Sequence, residues 1–230
     1  MKFRFAIVLS TALLALGGCA TKPQEPVIFA PTKITDPAIR IGVAMGPLPK
    51  VDTYFPGADC LLCMAAASIA NSSLTTHTQK LPSTDLANVK NEIADLLKKK
   101  GVKVKVIADA LIVSDLPPFK TDAPNFARKD FTSLKAKYDV DKLIVITIGT
   151  LGMWRPYSAY FPTSAPKAAV TGAGVMVNLT DNSYDWFEPI AIYRTADGAW
   201  DESPNFPGLT NSYYQAIETA KDTLKKPFAP

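Results

Sequence analysis

The chain has 230 residues, 47% of them hydrophobic and 20% charged, with one His, three Cys, 19 Pro and a formal charge of +4. The apolar fraction suffices for a packed core and the low charge argues against disorder. A charge of +4 is too small for a nucleic-acid surface, and a single His argues against a His-based relay or a His-rich metal centre. Lys2 and Arg4 open the chain, and residues 5–16 are an unbroken run without charge. That is the length of a secretory h-region and short of the roughly 20 residues needed to span a bilayer. Residues 1–18 therefore read as an export signal. They carry Lys2 and Arg4 and no acidic residue, so without them the formal charge falls to +2.

The signal ends in Leu16-Gly17-Gly18-Cys19. This resembles the lipobox of bacterial lipoproteins, with Gly17 where Ala or Ser is commoner. The resemblance implies that Cys19 becomes an acylated N-terminus bearing palmitate-type chains, whose buried methylenes would contribute about 0.8 kcal/mol each to membrane anchoring. Ala20 stands where lipoproteins retained in the inner membrane carry Asp, so the resemblance also implies the periplasmic face of the outer membrane. Residues 20–38 contain Pro23, Pro26, Pro31 and Pro37 with no helical or strand period. They read as an extended tether after the lipidated Cys19, with a reach of up to about 60 Å. Residues 39–230 then form one periplasmic domain.

Within that domain, residues 40–45 form a first strand, and Pro47, Pro49 and Pro56 enforce a loop. Asp59 is a candidate N-cap for a helix over residues 60–74, and no charged residue occurs between Asp59 and Lys80. Residues 60–67 are apolar all round, so this helix is expected to be buried or to insert into something. Leu86, Val89, Ile93, Leu96 and Leu97 place one apolar face on a helix over residues 85–100, ended by Gly101. Val102, Val104 and Val106 alternate with lysines as a half-exposed strand. A short helix over residues 130–138 leads into residues 143–148, a continuous apolar run expected to be a strand buried on both faces. Residues 154–166 form a loop rich in aromatics and prolines. Residues 168–180 and 184–195 form a hairpin around Asp181-Asn182-Ser183, and residues 210–225 a last helix. The sum is an α/β fold in one domain, with a mixed sheet of about five strands flanked by helices.

The segments Leu134 to Ile148 and Val177 to Trp186 resemble the helix–strand step and the hairpin of a periplasmic α/β fold. That fold is found in the N-terminal domain of the Tol-system propeller protein, the curli-secretion channel lipoprotein and lipoprotein activators of penicillin-binding proteins. The resemblance implies action by binding, assembly or channel formation, and it carries over no catalytic residue.

Among residues that could carry chemistry, Cys60 and Cys63 stand at i and i+3 at the start of a helix. In an oxidising compartment they fit a structural disulfide, a pair of buried thiols, or a low-pKa redox pair. A zinc site would need two further ligands and is disfavoured. His77 reads as a helix-terminal polar residue, with no nucleophile–base pattern beside it. No Gly-x-Ser-x-Gly elbow or phosphate-cradling Gly loop is present. Asp181 and Asp185 fit turn chemistry better than acid–base work. Trp154, Arg155, Tyr157, Tyr160 and Phe161 combine residue types enriched at recognition hot spots, so they are candidates for binding a periplasmic or outer-membrane partner or for folding back over the sheet.

The expected function is that of a non-enzymatic binding or assembly factor in envelope biogenesis or secretion, held to the membrane through Cys19, using no cofactor, metal or nucleic acid and able to form a homo-oligomer. One alternative is a subunit of an oligomeric outer-membrane channel, with residues 149–180 or the helix over 60–74 inserting. A second is a thiol–disulfide protein using Cys60 and Cys63.

Overall fold

The computed structural model describes residues 23–121 and 123–229, so the segment read as an export signal and Cys19 lie outside the described residues. The strands are β1 (Arg40–Met45), β2 (Asp52–Tyr54), β3 (Lys103–Val106), β4 (Lys142–Trp154), β5 (Tyr157–Ser158), β6 (Phe161–Pro162), β7 (Lys167–Asn178) and β8 (Tyr184–Thr195). The helices are α1 (Leu61–Ala70), α2 (Ser72–Thr78), α3 (Thr84–Ala87), α4 (Val89–Lys99), α5 (Leu134–Tyr138) and α6 (Pro207–Lys225). The main sheet is mixed, in the order β3-β1-β4-β7-β8, and β2 extends it as a second parallel partner of β4. This is the α/β fold expected from the sequence, in one domain.

β4 is the spine. Its first half pairs in parallel with β1, from Ile41 opposite Lys142 to Met45 opposite Ile146. Its last residues pair with β2, from Asp52 opposite Gly152 to Tyr54 opposite Trp154. Gly152 has φ +139°, and a Cβ there would lie 2.0 Å from the Asp52 carbonyl oxygen, so only glycine lets β2 come this close. The strand therefore runs well beyond the apolar run at 143–148, past a bulge between Ile148 and Thr150. Its alternation divides the core. Ile144 and Ile146 join Ile41, Val43, Trp186 and the apolar faces of α4 and α6, while Leu143 and Val145 join Ile107, Phe131, Leu134 and Val177 on the other side.

Two expected helices are each broken once. The helix over 60–74 divides at Asn71, whose side chain donates back to the Ala67 carbonyl and so competes with the next helical turn. The helix over 85–100 divides at Asn88 into α3 and α4. The short helix over 130–138 is helical only from Leu134, because Asp130 accepts from the Thr132 amide and hydroxyl and forms a turn instead.

From Pro23 onward the stretch read as an extended tether is packed on the domain. Val27 and Phe187 exchange backbone hydrogen bonds of 2.9 and 3.0 Å at the outer edge of β8. Phe29 packs edge-on against Phe228 in the main core, and Ile34, in a 3-10 turn over Pro31–Ile34, is buried with it. Lys33 reaches Asp185 at 2.8 Å. Only Ala20, Thr21 and Lys22 separate Cys19 from Pro23, a span of at most about 14 Å.

Candidate interaction site

β2 and the end of β4 carry a small satellite core of Phe55, Ala58, Cys63, Ala67 and Tyr157. It exists because three segments meet there. Gly57 (φ +85°) brings its loop so near the β5 strand that a Cβ would lie 2.0 Å from the Tyr157 carbonyl oxygen. Phe55 meets Tyr157 edge-to-face at 5.8 Å between centroids. α1 then lies on the cluster through Cys63 and Ala67.

Cys60 and Cys63 form a disulfide, and Cys60 is the N-cap of α1, its Sγ accepting from the Cys63 amide at 2.9 Å. The sulfur thus satisfies one of the orphan first-turn donors that Asp59 was expected to cap. Asn71 ends the helix, donating to the Ala67 carbonyl and to the Tyr157 hydroxyl at 2.7 Å each and accepting from Arg155 at 2.5 Å. The Arg155 guanidinium also lies 4.6 Å above the Trp200 ring. Its Nε is buried without a hydrogen-bond partner, so the Asn71 and Trp200 contacts hold it in place.

These contacts sort the aromatic loop into supports and a tip. Tyr157 is buried, Arg155 is clamped, and Trp154 packs edge-on against Tyr193 at 5.6 Å. Tyr160 lies on the turn of the β5–β6 hairpin and Phe161 opens β6 beside it; both are exposed, Phe161 at 75%. The Tyr160 hydroxyl is 3.7 Å from Cys60 Sγ, so tip and helix form one continuous surface.

On α1 itself only Cys63 and Ala67 are buried, and Leu61, Leu62, Met64 and Ile69 face outward at 86%, 69%, 42% and 77% exposure. At about 100° per residue, the exposed positions from Met64 round to Ala70 cover roughly 240° of the helix circumference. Removing these four side chains and Phe161 from water would contribute about 7 kcal/mol before the entropic cost of association. The sequence reads α1 as buried or inserting because it is apolar all round. Its exposure was not legible, since the contacts that hold it come from residues far along the chain.

His77 lies in the last turn of α2, its Nε2 2.7 Å from the Thr210 hydroxyl and its ring against Phe206. Burial, with Lys80 nearby, pushes its pKa below the ordinary histidine value. Asp181 takes the turn role read from the sequence, accepting from the Ser183 amide and hydroxyl, whereas Asp185 is drawn into a buried ion pair with Lys142. Among the described residues no group of three or more His, Cys, Asp or Glu is placed to hold a metal ion, and no helix is long and apolar enough to cross a membrane.

No model of a known protein family matches the chain, and no curated protein matches it either. Among solved structures it is similar to the PelC dodecamer from Paraburkholderia phytofirmans, at 7% identity and TM-score 0.35 over 90% of this chain and 96% of that one. It is similar to protein XCC0632 from Xanthomonas campestris at 11% identity and TM-score 0.38, covering 88% of this chain and 90% of that one. It is similar to lipoprotein GNA1162 from Neisseria meningitidis at 13% identity and TM-score 0.28, covering 79% and 96%. With TM-scores below 0.5, these likenesses carry nothing about this chain's function.

Proposed function

We propose that this chain is a lipoprotein anchored through Cys19 on the periplasmic face of the outer membrane, acting by binding rather than catalysis in envelope assembly or secretion. The observation that supports a binding role is the uncovered apolar surface formed by α1 and the tip of the β5–β6 hairpin. Monomeric proteins rarely expose contiguous apolar patches of more than a few hundred Å², and larger ones mark interaction sites. Leu61, Leu62, Ile69 and Phe161 leave this surface open together, whereas the other exposed large apolar side chains among the described residues, Ile28, Ile112, Tyr193 and Tyr214, lie on separate segments. On this reading the Cys60–Cys63 disulfide is a staple for the first turn of α1, and Arg155, Asn71 and Tyr157 are the bracket that presents the surface.

The test is Leu62→Asp in the bacterium that makes the protein. Leu62 is exposed, so the substitution should shift folding stability by no more than about 0.5 kcal/mol while reproducing the phenotype of deleting the gene. A fully functional Leu62→Asp chain would overturn the reading.

A further inference from the structure

We propose that the occupant of the α1 surface is the hydrocarbon of a lipid bilayer, entered by Leu61, Leu62 and Ile69 of α1 together with Phe161 of the hairpin tip. This rests on the reading of that surface as the binding face and of Cys19 as an anchor. The shape of the surface favours lipid over protein. The uncovered arc spans roughly 240° of the helix, which a protein could cover only by wrapping it, whereas acyl chains conform to any convex apolar shape.

The chemistry agrees. No charged residue lies between Asp59 and Lys80, so nothing on α1 must be desolvated as an ion or paired with an oppositely charged partner. A helix satisfies its own backbone, and here the Cys63 amide in the first turn is also satisfied, by Cys60 Sγ. Tyr160, at 48% exposure beside Cys60, offers the amphipathic ring typical of the headgroup level, with Phe161 beyond it.

The length of chain before the domain brings a membrane within reach. With three residues between Cys19 and Pro23, an acylated Cys19 holds the domain within about 14 Å of the bilayer. Gln24 bonds to Asn125, whose carbonyl accepts from the Tyr184 amide, at the level of Leu143 on β4. The α1 surface lies beyond Trp154 at the other end of that strand, roughly 36 Å away. Holding both to one bilayer would require β4 to lie close to its plane, with the domain on its side.

The test uses the full chain reconstituted in zwitterionic phosphatidylcholine vesicles, with or without bromine on the acyl chains. Leu62→Trp and Ile69→Trp each place a probe on the surface, and Lys99→Trp places one on the exposed side of α4. The fluorescence added by Leu62→Trp and Ile69→Trp should fall about twofold or more in brominated vesicles, and that added by Lys99→Trp should not. Equal brightness of all three probes in both vesicles would overturn the proposal. If in that case Leu62→Asp still reproduces the deletion phenotype, lipid is the wrong occupant and the binding face stands. If Leu62→Asp is also silent in cells, both readings fall.

Discussion

The Lys142 ammonium donates a 2.6 Å hydrogen bond to the carboxylate of Asp185, a pair that spans β4 and β8 with the Asp185 side chain only 2% exposed. Lys33 from the N-terminal arm meets the other oxygen of the same carboxylate at 2.8 Å. One buried anion therefore joins two strands and the segment that leads to Cys19. Asp185→Asn should lower stability by about 3 kcal/mol, because it leaves the Lys142 charge buried without its partner. Lys33→Met, at a half-exposed position, should cost under about 1 kcal/mol. Denaturant midpoints of the two variants check the ordering.

Asn71→Ala should act on the binding face from behind. It removes the acceptor that holds Arg155 and the donor to Tyr157, in a place where Arg155 Nε already has no partner. A cost of about 2–3 kcal/mol is expected, with faster proteolysis between residues 155 and 163 than in the wild-type chain. A variant with unchanged midpoint and unchanged cleavage would show that the bracket is dispensable.

The Cys60–Cys63 disulfide closes a very short loop, so its entropic contribution is about 2 kcal/mol at most. The double variant Cys60→Ser, Cys63→Ser should fold, lose no more than that amount, and keep function wherever α1 stays seated. Loss of function at unchanged stability would instead support the thiol–disulfide role considered from the sequence.

Stability should be lost on the acid side, in two stages. Burial alone would raise the Glu92 pKa, but hydrogen bonds from Lys225 and Lys221 outweigh it and hold the group below its ordinary value. The Arg40 guanidinium holds Asp141 low in the same way. A depressed carboxylate pKa stabilises the fold above the unfolded value and loses that contribution as pH falls through the folded one, so the main loss belongs below about pH 4. His77 is depressed by burial and by Lys80, so its neutral form is the folded one and a smaller loss should begin below about pH 6.5. Thermal midpoints across pH 3 to 8 check both, and His77→Gln should remove only the upper stage.

Much of the fold was legible from local pattern. The run at 143–148 reads as a doubly buried strand and lies in β4, with Leu143 and Ile144 on opposite sides of the sheet. The turn at Asp181-Asn182-Ser183 follows from Asx chemistry, with Asn182 in the left-handed region at φ +68°. What was not legible depends on contacts between distant parts of the chain. Asp52–Tyr54 shows no strand period and becomes β2 because Gly152 admits it beside β4. The four prolines of residues 20–38 suggest an extended tether, yet Phe29 and Ile34 find the main core and Val27 finds the β8 edge. The aromatic loop reads equally as support or as recognition surface. Asn71, 84 positions from Arg155 and 86 from Tyr157, decides which residues support and leaves Tyr160 and Phe161 outside.

In the working protein, α1 and the hairpin tip should be covered. A photo-crosslinking amino acid at Leu62, compared with the same group at Lys99, tests this in living cells by gel shift and mass spectrometry. The probe at Leu62 should form an adduct with lipid or protein, and the probe at Lys99 should form none. A Leu62 probe as silent as the Lys99 probe would contradict it.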